Sequence, residues 1–268
     1  MRYLYALFLG IVEGLTEWLP VSSTGHLILV NGIIKSEDVF TSSDLFLYVI
    51  QLGAILAVLT VYFGRLNPFS KKKTKGEKKK TLALWGKIAV ACVPAAVVGL
   101  LLDDFSERFF TWRTVAAALF VYGVAFCLTA RLNLRVRTAD AEGINVRTAL
   151  AIGAFQTLSI VPGTSRSGST ILGGMIAGCS REAAAEFSFF LAIPVMFGVS
   201  ALKIAKNIPL LTAGNVFVLL VGAGTAYIVS LFTVRFLTGF VKKRSFFVFG
   251  VYRIVLAAAV TVFFLLRG

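Results

Sequence analysis

The chain has 268 residues, 57% of them hydrophobic and 15% charged, with a mean hydropathy of +0.85 and a formal net charge of +14. A soluble domain carries about 25% charged residues, so this composition excludes an ordinary soluble globule and fits an integral membrane protein with several helical spans. The cationic excess would point to nucleic acid in a soluble chain; here it reads as positive-inside loops facing anionic lipid, and no nucleic-acid partner is expected.

The N-terminal Met1-Arg2-Tyr3-Leu4 runs into an apolar stretch without a small-residue cleavage site, and reads as retained sequence, not as a signal peptide. Residues 10–30 are apolar at both ends. Their middle holds Glu13, Thr16, Glu17, Ser22, Ser23, Thr24 and the only histidine, His26. A short polar loop, 35–43, leads to residues 45–63, an uncharged run long enough to cross a bilayer at about 1.5 Å per residue. A basic loop follows, with Arg65 and Lys71, Lys72, Lys73, Lys75, Lys78, Lys79 and Lys80. Further spans are predicted at 82–102, 114–130, 187–202, 216–234 and 246–266. Polar connections separate them at 103–113, 131–147 and 242–244, with a second mixed stretch at 148–179. Cys92, Cys127 and Cys179 are isolated and read as small core residues. Lys87 and Arg253 lie inside spans, where each either snorkels or pairs with a neighbouring helix.

The two mixed stretches resemble each other. Gly10-Ile-Val-Glu13 matches Gly153-Ala-Phe-Gln156, and Leu19-Pro20-Val-Ser-Ser-Thr-Gly25 matches Val161-Pro162-Gly-Thr-Ser-Arg-Ser167-Gly168. Each is followed by an acidic residue expected to open a span, Asp44 and Glu186, and each half then supplies three spans. The predicted fold is an all-α integral membrane protein, a single membrane domain over 1–268. It has six transmembrane helices plus two re-entrant helical hairpins, in inverted-topology repeats at about 1–132 and 145–268. Under that topology the basic loops 65–80, 131–147 and 242–244 share one face, taken as cytoplasmic. Lys35, Arg108, Arg113, Lys203 and Lys206 fall on the other. Both termini are then outside, with the first hairpin entering from outside and the second from the cytoplasm.

Glu13 and Glu17 stand four apart and share one helical face. A carboxylate at bilayer depth costs roughly 2.5–3.5 kcal/mol on insertion scales, so it is expected to face a cavity; a structural pair hydrogen-bonded to neighbouring helices is the plainer reading. Pro20 is expected to end that helix and residues 21–25 to be irregular. His26 is either a satisfied core residue or an acid, base or nucleophile in phosphoryl transfer. The second stretch offers Pro162-Gly163-Thr164-Ser165-Arg166-Ser167-Gly168-Ser169-Thr170. Glycines, hydroxyls and an arginine before a helix suit an anion, held by backbone N–H groups and a forked guanidinium. Gly173, Gly174 and Gly178 read as tight helix packing. Two glutamates alone would repel phosphate. A divalent cation between them and the phosphate oxygens removes the conflict, and Arg166 would neutralise charge in the transition state.

Glu13-Gly-Leu-Thr-Glu17-Trp-Leu-Pro-Val-Ser-Ser-Thr-Gly-His26 and Pro162-Gly-Thr-Ser-Arg166-Ser-Gly-Ser-Thr170 resemble the two signatures of the undecaprenyl diphosphate phosphatase family, associated with bacitracin resistance. Glu186-Phe-Ser-Phe and Val49-Ile-Gln51-Leu-Gly53 are similar to it too, and the likeness covers essentially the whole chain. The resemblance implies a C55 isoprenyl diphosphate substrate, cleaved to inorganic phosphate and the lipid monophosphate used in peptidoglycan assembly. It implies a divalent cation, Mg²⁺ or Ca²⁺, a site open to the outer face of a bacterial plasma membrane, surrounding membrane lipids, and a homodimer. It assigns Glu13 and Glu17 to the metal, and Glu17, Ser23, His26 and Arg166 to catalysis, with Ser23 and His26 competing as nucleophile. Ser22, Thr24, Ser165, Arg166, Ser167 and Gln51 are the expected phosphate binders. A transporter or flippase of phosphorylated lipid is the alternative, since inverted repeats serve both.

Overall fold

The computed structural model describes residues 1–34, 40–41, 43–108, 111–132 and 134–266, and their side chains except at 31–32 and 102–108. Among the described residues, six helices are long and apolar enough to cross a membrane. These are α3 (Asp44–Leu66), α4 (Lys75–Arg108), α5 (Trp112–Arg131), α8 (Arg181–Lys206), α9 (Ala213–Lys243) and α10 (Phe247–Leu265). Four shorter helices form two pairs: α1 (Arg2–Thr16) with α2 (Ser23–Ile34), and α6 (Val146–Thr157) with α7 (Arg166–Ile176). The all-α class stands, and every predicted span is present.

The helices outrun the predicted spans. α4 begins at Lys75 inside the basic loop, α8 begins at Arg181, and α9 runs past Arg235 to Lys243. Hydropathy falls at the first cation, whereas a helix continues until its backbone groups find other partners. Ser43, Thr111, Asn145, Ser180 and Thr212 supply those partners, each accepting a backbone N–H at the start of its helix. The connection expected at 103–113 is helical as far as Arg108. Asp44 opens α3 as expected, but Glu186 lies inside α8 and pairs with Arg65 at 2.7 Å. The loop expected at 35–43 falls largely outside the described residues, as do Lys35 and the Arg108 side chain.

The packing repeats between halves. α1 lies on α9 and α6 on α4, each through a glycine: a Cβ on Gly10 would collide with the Gly222 carbonyl oxygen, and one on Gly153 with that of Ala91. α3 runs antiparallel to α8, with Lys203 on Asp44 (2.8 Å), the Ser200 hydroxyl on the Tyr48 carbonyl (2.8 Å) and Arg65 on Glu186. α3 runs parallel to α9, joined by Thr60 to Tyr227 and Tyr62 to Thr238. The three basic loops therefore gather at one end of the bundle. There Arg65 also meets Glu142 (3.2 Å), and Lys87 donates to the Glu142 carbonyl (2.5 Å), which settles Lys87 as a paired residue.

Both outer ends of the α6–α7 pair lie at that basic end, where the Gly178 carbonyl accepts the N–H groups of Arg137 and Thr138. The α1–α2 pair starts and finishes at the opposite end. Arg2 donates to Asn215 there (2.6 Å), and Ile28 and Leu29 pack against the cluster that includes Val115 of α5 and Val260 of α10. The two turns point inward. The largest core cluster lies beside them and includes Trp18, Phe187, Phe189 and Phe190. The three cysteines are free thiols in apolar surroundings.

Candidate active site

Each turn is built by the same local chemistry. Pro20 has no N–H, and its ring clashes with the carbonyl four residues back. That residue is Thr16, where α1 ends. The chain turns and passes through Ser22 at φ +71°, and α2 begins at Ser23. In the other half Ser165 stands at φ +73°, and α7 begins at Arg166. These are the only non-glycine residues at positive φ among the described residues. Each serine oxygen accepts the N–H three residues on, from Gly25 (3.3 Å) and Gly168 (3.1 Å). That register pairs Ser22 with Ser165, Ser23 with Arg166 and Glu13 with Gln156. It corrects the irregular stretch expected at 21–25: Ser23, Thr24 and Gly25 are already the first turn of α2.

The two turns meet at Glu17. The Ser23 hydroxyl donates to one Glu17 carboxylate oxygen at 2.9 Å, and Arg166 Nη2 donates to the other at 2.8 Å. The Ser167 hydroxyl lies 3.0 Å from the Glu17 carbonyl oxygen and 3.3 Å from that of Leu19. Arg166 is itself held. Its Nη1 donates to the Ser188 carbonyl at 2.9 Å, and its guanidinium lies over the Trp18 ring at 5.6 Å. Arg253 is fully buried and joins the turns: Nη1 donates to the Pro20 carbonyl (3.0 Å), and Nη2 to those of Gly163 (2.8 Å) and Thr164 (2.9 Å). It is a paired residue and does not snorkel.

Glu13 is fully buried, and neither of its carboxylate oxygens has a hydrogen-bond partner among the described residues. Such a group needs a proton or a cation to stay at that depth. Its counterpart Gln156 is buried and equally unpartnered. Among the described residues no third His, Cys, Asp or Glu joins Glu13 and Glu17 in a cluster. The donor set fits Mg²⁺ or Ca²⁺ bound through one or two carboxylates together with phosphate oxygens, the usual pattern for Mg²⁺ at phosphate sites.

His26 has a different setting. Its Nδ1 lies 2.7 Å from the Ser22 carbonyl oxygen and its Nε2 lies 2.6 Å from the Tyr252 hydroxyl. The two rings stack, with centroids 5.6 Å apart and planes 8° apart. No described bond joins His26 to Ser23 or Glu17. Ser22 and Ser165 serve as helix caps, and Ser165 also lies 3.1 Å from the Ser167 hydroxyl. Thr24 and Gln51 are half-buried without a described bond to the cluster. Sequence reasoning missed Tyr252 and Ser188. Ser188 stood within the quoted Glu186-Phe-Ser-Phe; Tyr252 beside Arg253 in an apolar span carried no distinguishing signal.

Against known proteins, the family model described as bacitracin resistance protein BacA matches residues 6–259. A protein of Streptococcus thermophilus named undecaprenyl-diphosphatase is 53% identical over 97% of this chain and 92% of its own length. Proteins of the same name from Streptococcus suis (51%, 98% of this chain and 97% of theirs) and Enterococcus faecalis (50%, 94% of each) are similar throughout.

Proposed function

The chain belongs to the bacitracin resistance protein BacA family, and from that membership and the site we infer that it is an integral membrane phosphatase of undecaprenyl diphosphate. The products are undecaprenyl phosphate, the lipid carrier of peptidoglycan synthesis, and inorganic phosphate, and the activity confers bacitracin resistance. The observation that carries the mechanism is the bonded chain Ser23–Glu17–Arg166, which spans both halves.

Ser23 is the nucleophile in this reading, because its hydroxyl already points at a carboxylate base. Its oxygen attacks the terminal phosphorus, and its proton passes to Glu17. The bond from that phosphorus to the bridging oxygen breaks, and the lipid monophosphate leaves, taking the proton from Glu17. As Glu17 loses its charge, Arg166 is released to grip the phosphoryl oxygens. The first-turn N–H groups of α2 and α7 add donors on either side. Water then gives a proton to Glu17 and attacks the phosphoserine, and the Ser23 oxygen regains a proton as the P–O bond breaks. A divalent cation held by Glu13, and shared with Glu17, would screen the diphosphate charge and polarise its oxygens. In this reading His26 is not the nucleophile, and what supports that is the Tyr252 hydroxyl standing 2.6 Å from its Nε2.

The same proposal takes both helix pairs as re-entrant hairpins, residues 1–132 and 145–268 as inverted repeats, and the site as open to the outer face. What supports it is the gathering of the basic loops at one end and the return of each helix pair to its own end. A homodimer, implied by the family resemblance, is tested by the protein's mass in detergent.

Phosphate release from a polyprenyl diphosphate by the purified protein tests the chemistry. Wild type should release phosphate and stop on chelation, and Ser23→Ala and Glu17→Gln should each lose about 10²–10⁴-fold in kcat. Release unaffected by chelator would remove the cation, and full activity in Ser23→Ala would remove the nucleophile.

A further inference from the structure

Tyr252 plays no part in the steps above, yet it makes the shortest described side-chain bond to His26. We propose that Tyr252 is a positioning residue for the hydrolysis: by fixing His26 it holds the left-handed turn at Ser22 that aims Ser23 at Glu17. The inference rests on Ser23 and Glu17 being the reacting pair.

A carbonyl oxygen only accepts, so Nδ1 of His26 carries a proton and donates it to the Ser22 carbonyl at 2.7 Å. A neutral ring then presents its lone pair at Nε2, and the Tyr252 hydroxyl donates there. Ring stacking against Tyr252 sets the plane of the imidazole. The Ser22 carbonyl is thereby tied to α10 through two side chains, and Ser22 is one of the two strained serines.

Comparison with the other half shows why that tie is needed. At the matching turn the Ser165 carbonyl accepts the backbone N–H of Ser169 at 2.9 Å, an ordinary helical bond. Ser169 also reaches a tyrosine, donating its hydroxyl to Tyr122 of α5 at 3.0 Å. In the first half the corresponding backbone bond, from the His26 N–H to the Ser22 carbonyl, is stretched to 3.4 Å. The imidazole supplies the anchor that the backbone bond has lost. A residue at position 26 must therefore reach back to its own turn and outward to α10 at once, and histidine has a nitrogen for each task. The exposures differ as well: Tyr122 is buried, whereas Tyr252 is 45% exposed on the outside of the bundle.

The test uses Tyr252→Phe, which keeps the ring and removes the hydroxyl. His26 is the only histidine, so histidine labelled with ¹⁵N reports this ring alone. The expected result is a wild-type spectrum of the Nδ1–H tautomer that becomes mixed in Tyr252→Phe. With it should come a kcat about tenfold lower, KM within about twofold and an unchanged melting temperature. Unchanged ¹⁵N shifts overturn the proposal, as does a shifted spectrum with wild-type kcat or a change confined to KM. If wild type itself released no phosphate, the reading of the reaction would fail, while the ¹⁵N spectrum would still decide the Tyr252–His26 bond.

Discussion

Two arginines meet at the turns, and their partners separate their roles. Arg166 faces a carboxylate and, in the proposed reaction, changes partner; Arg253 faces three backbone carbonyls and has no reason to move. Lysine keeps the charge and loses the fork. Arg166→Lys should lower kcat by about 10²-fold with little change in melting temperature in detergent. Arg253→Lys should do the reverse first. One ammonium cannot serve both turns, and a buried carbonyl without its donor costs about 1–3 kcal/mol. At this chain length that lowers the melting temperature by at least about 2–4 °C, so equal melting curves would count against the clamp. Arg166 was legible because it interrupts a run of glycine and hydroxyl residues. Arg253 stood out as a cation inside a span, but its task of joining the two turns was not legible, because its partners are carbonyls, which every residue possesses and no sequence marks.

The two short helix pairs are placed by close helix contact, because between helices in lipid there is little hydrophobic drive beyond packing. Gly153 seats α6 on α4 at Ala91, as Gly10 seats α1 on α9 at Gly222. Gly153→Ala should therefore push α6 outward, costing about 1–3 kcal/mol from overpacking, and should lower activity because α7 and Arg166 ride on the same pair. Gly86→Ala on α4 is the control. No described atom lies within 4 Å of its Cβ position, so the change should be neutral or stabilising by up to about 1 kcal/mol. Thermal melts of both variants, with phosphate release alongside, check the contrast. The spans were legible in hydropathy and the turns in their serines and prolines. The helix ends were not: cations within α4 and α9 mark a change of surroundings, whereas the backbone bonding runs on through them. The contact between turns was equally hidden, since it depends on which helices lie side by side.

At the scale of the molecule, charge gives the bundle its polarity. The Lys/Arg-rich loops share one end, so an impermeant maleimide should separate the ends. In a background with Cys92, Cys127 and Cys179 replaced, Gly214→Cys should label in intact cells and Lys72→Cys only after permeabilisation. Labelling at Lys72→Cys from outside would reverse the orientation. The ion pairs Asp44–Lys203 and Arg65–Glu186 lie towards opposite ends of the α3–α8 contact. Partly exposed pairs contribute little energy, so they register the two helices more than they stabilise them. The seating of α1 on α9 also bears on the order of assembly. The ribosome delivers α1 first and α9 next to last, so Gly10 and Gly14 have no wall to rest against until four-fifths of the protein has been made. Glu17 likewise waits for Arg166. The first helix pair to be synthesised is thus among the last parts to find its place, and its carboxylates must be kept wet, or protonated, in the interval.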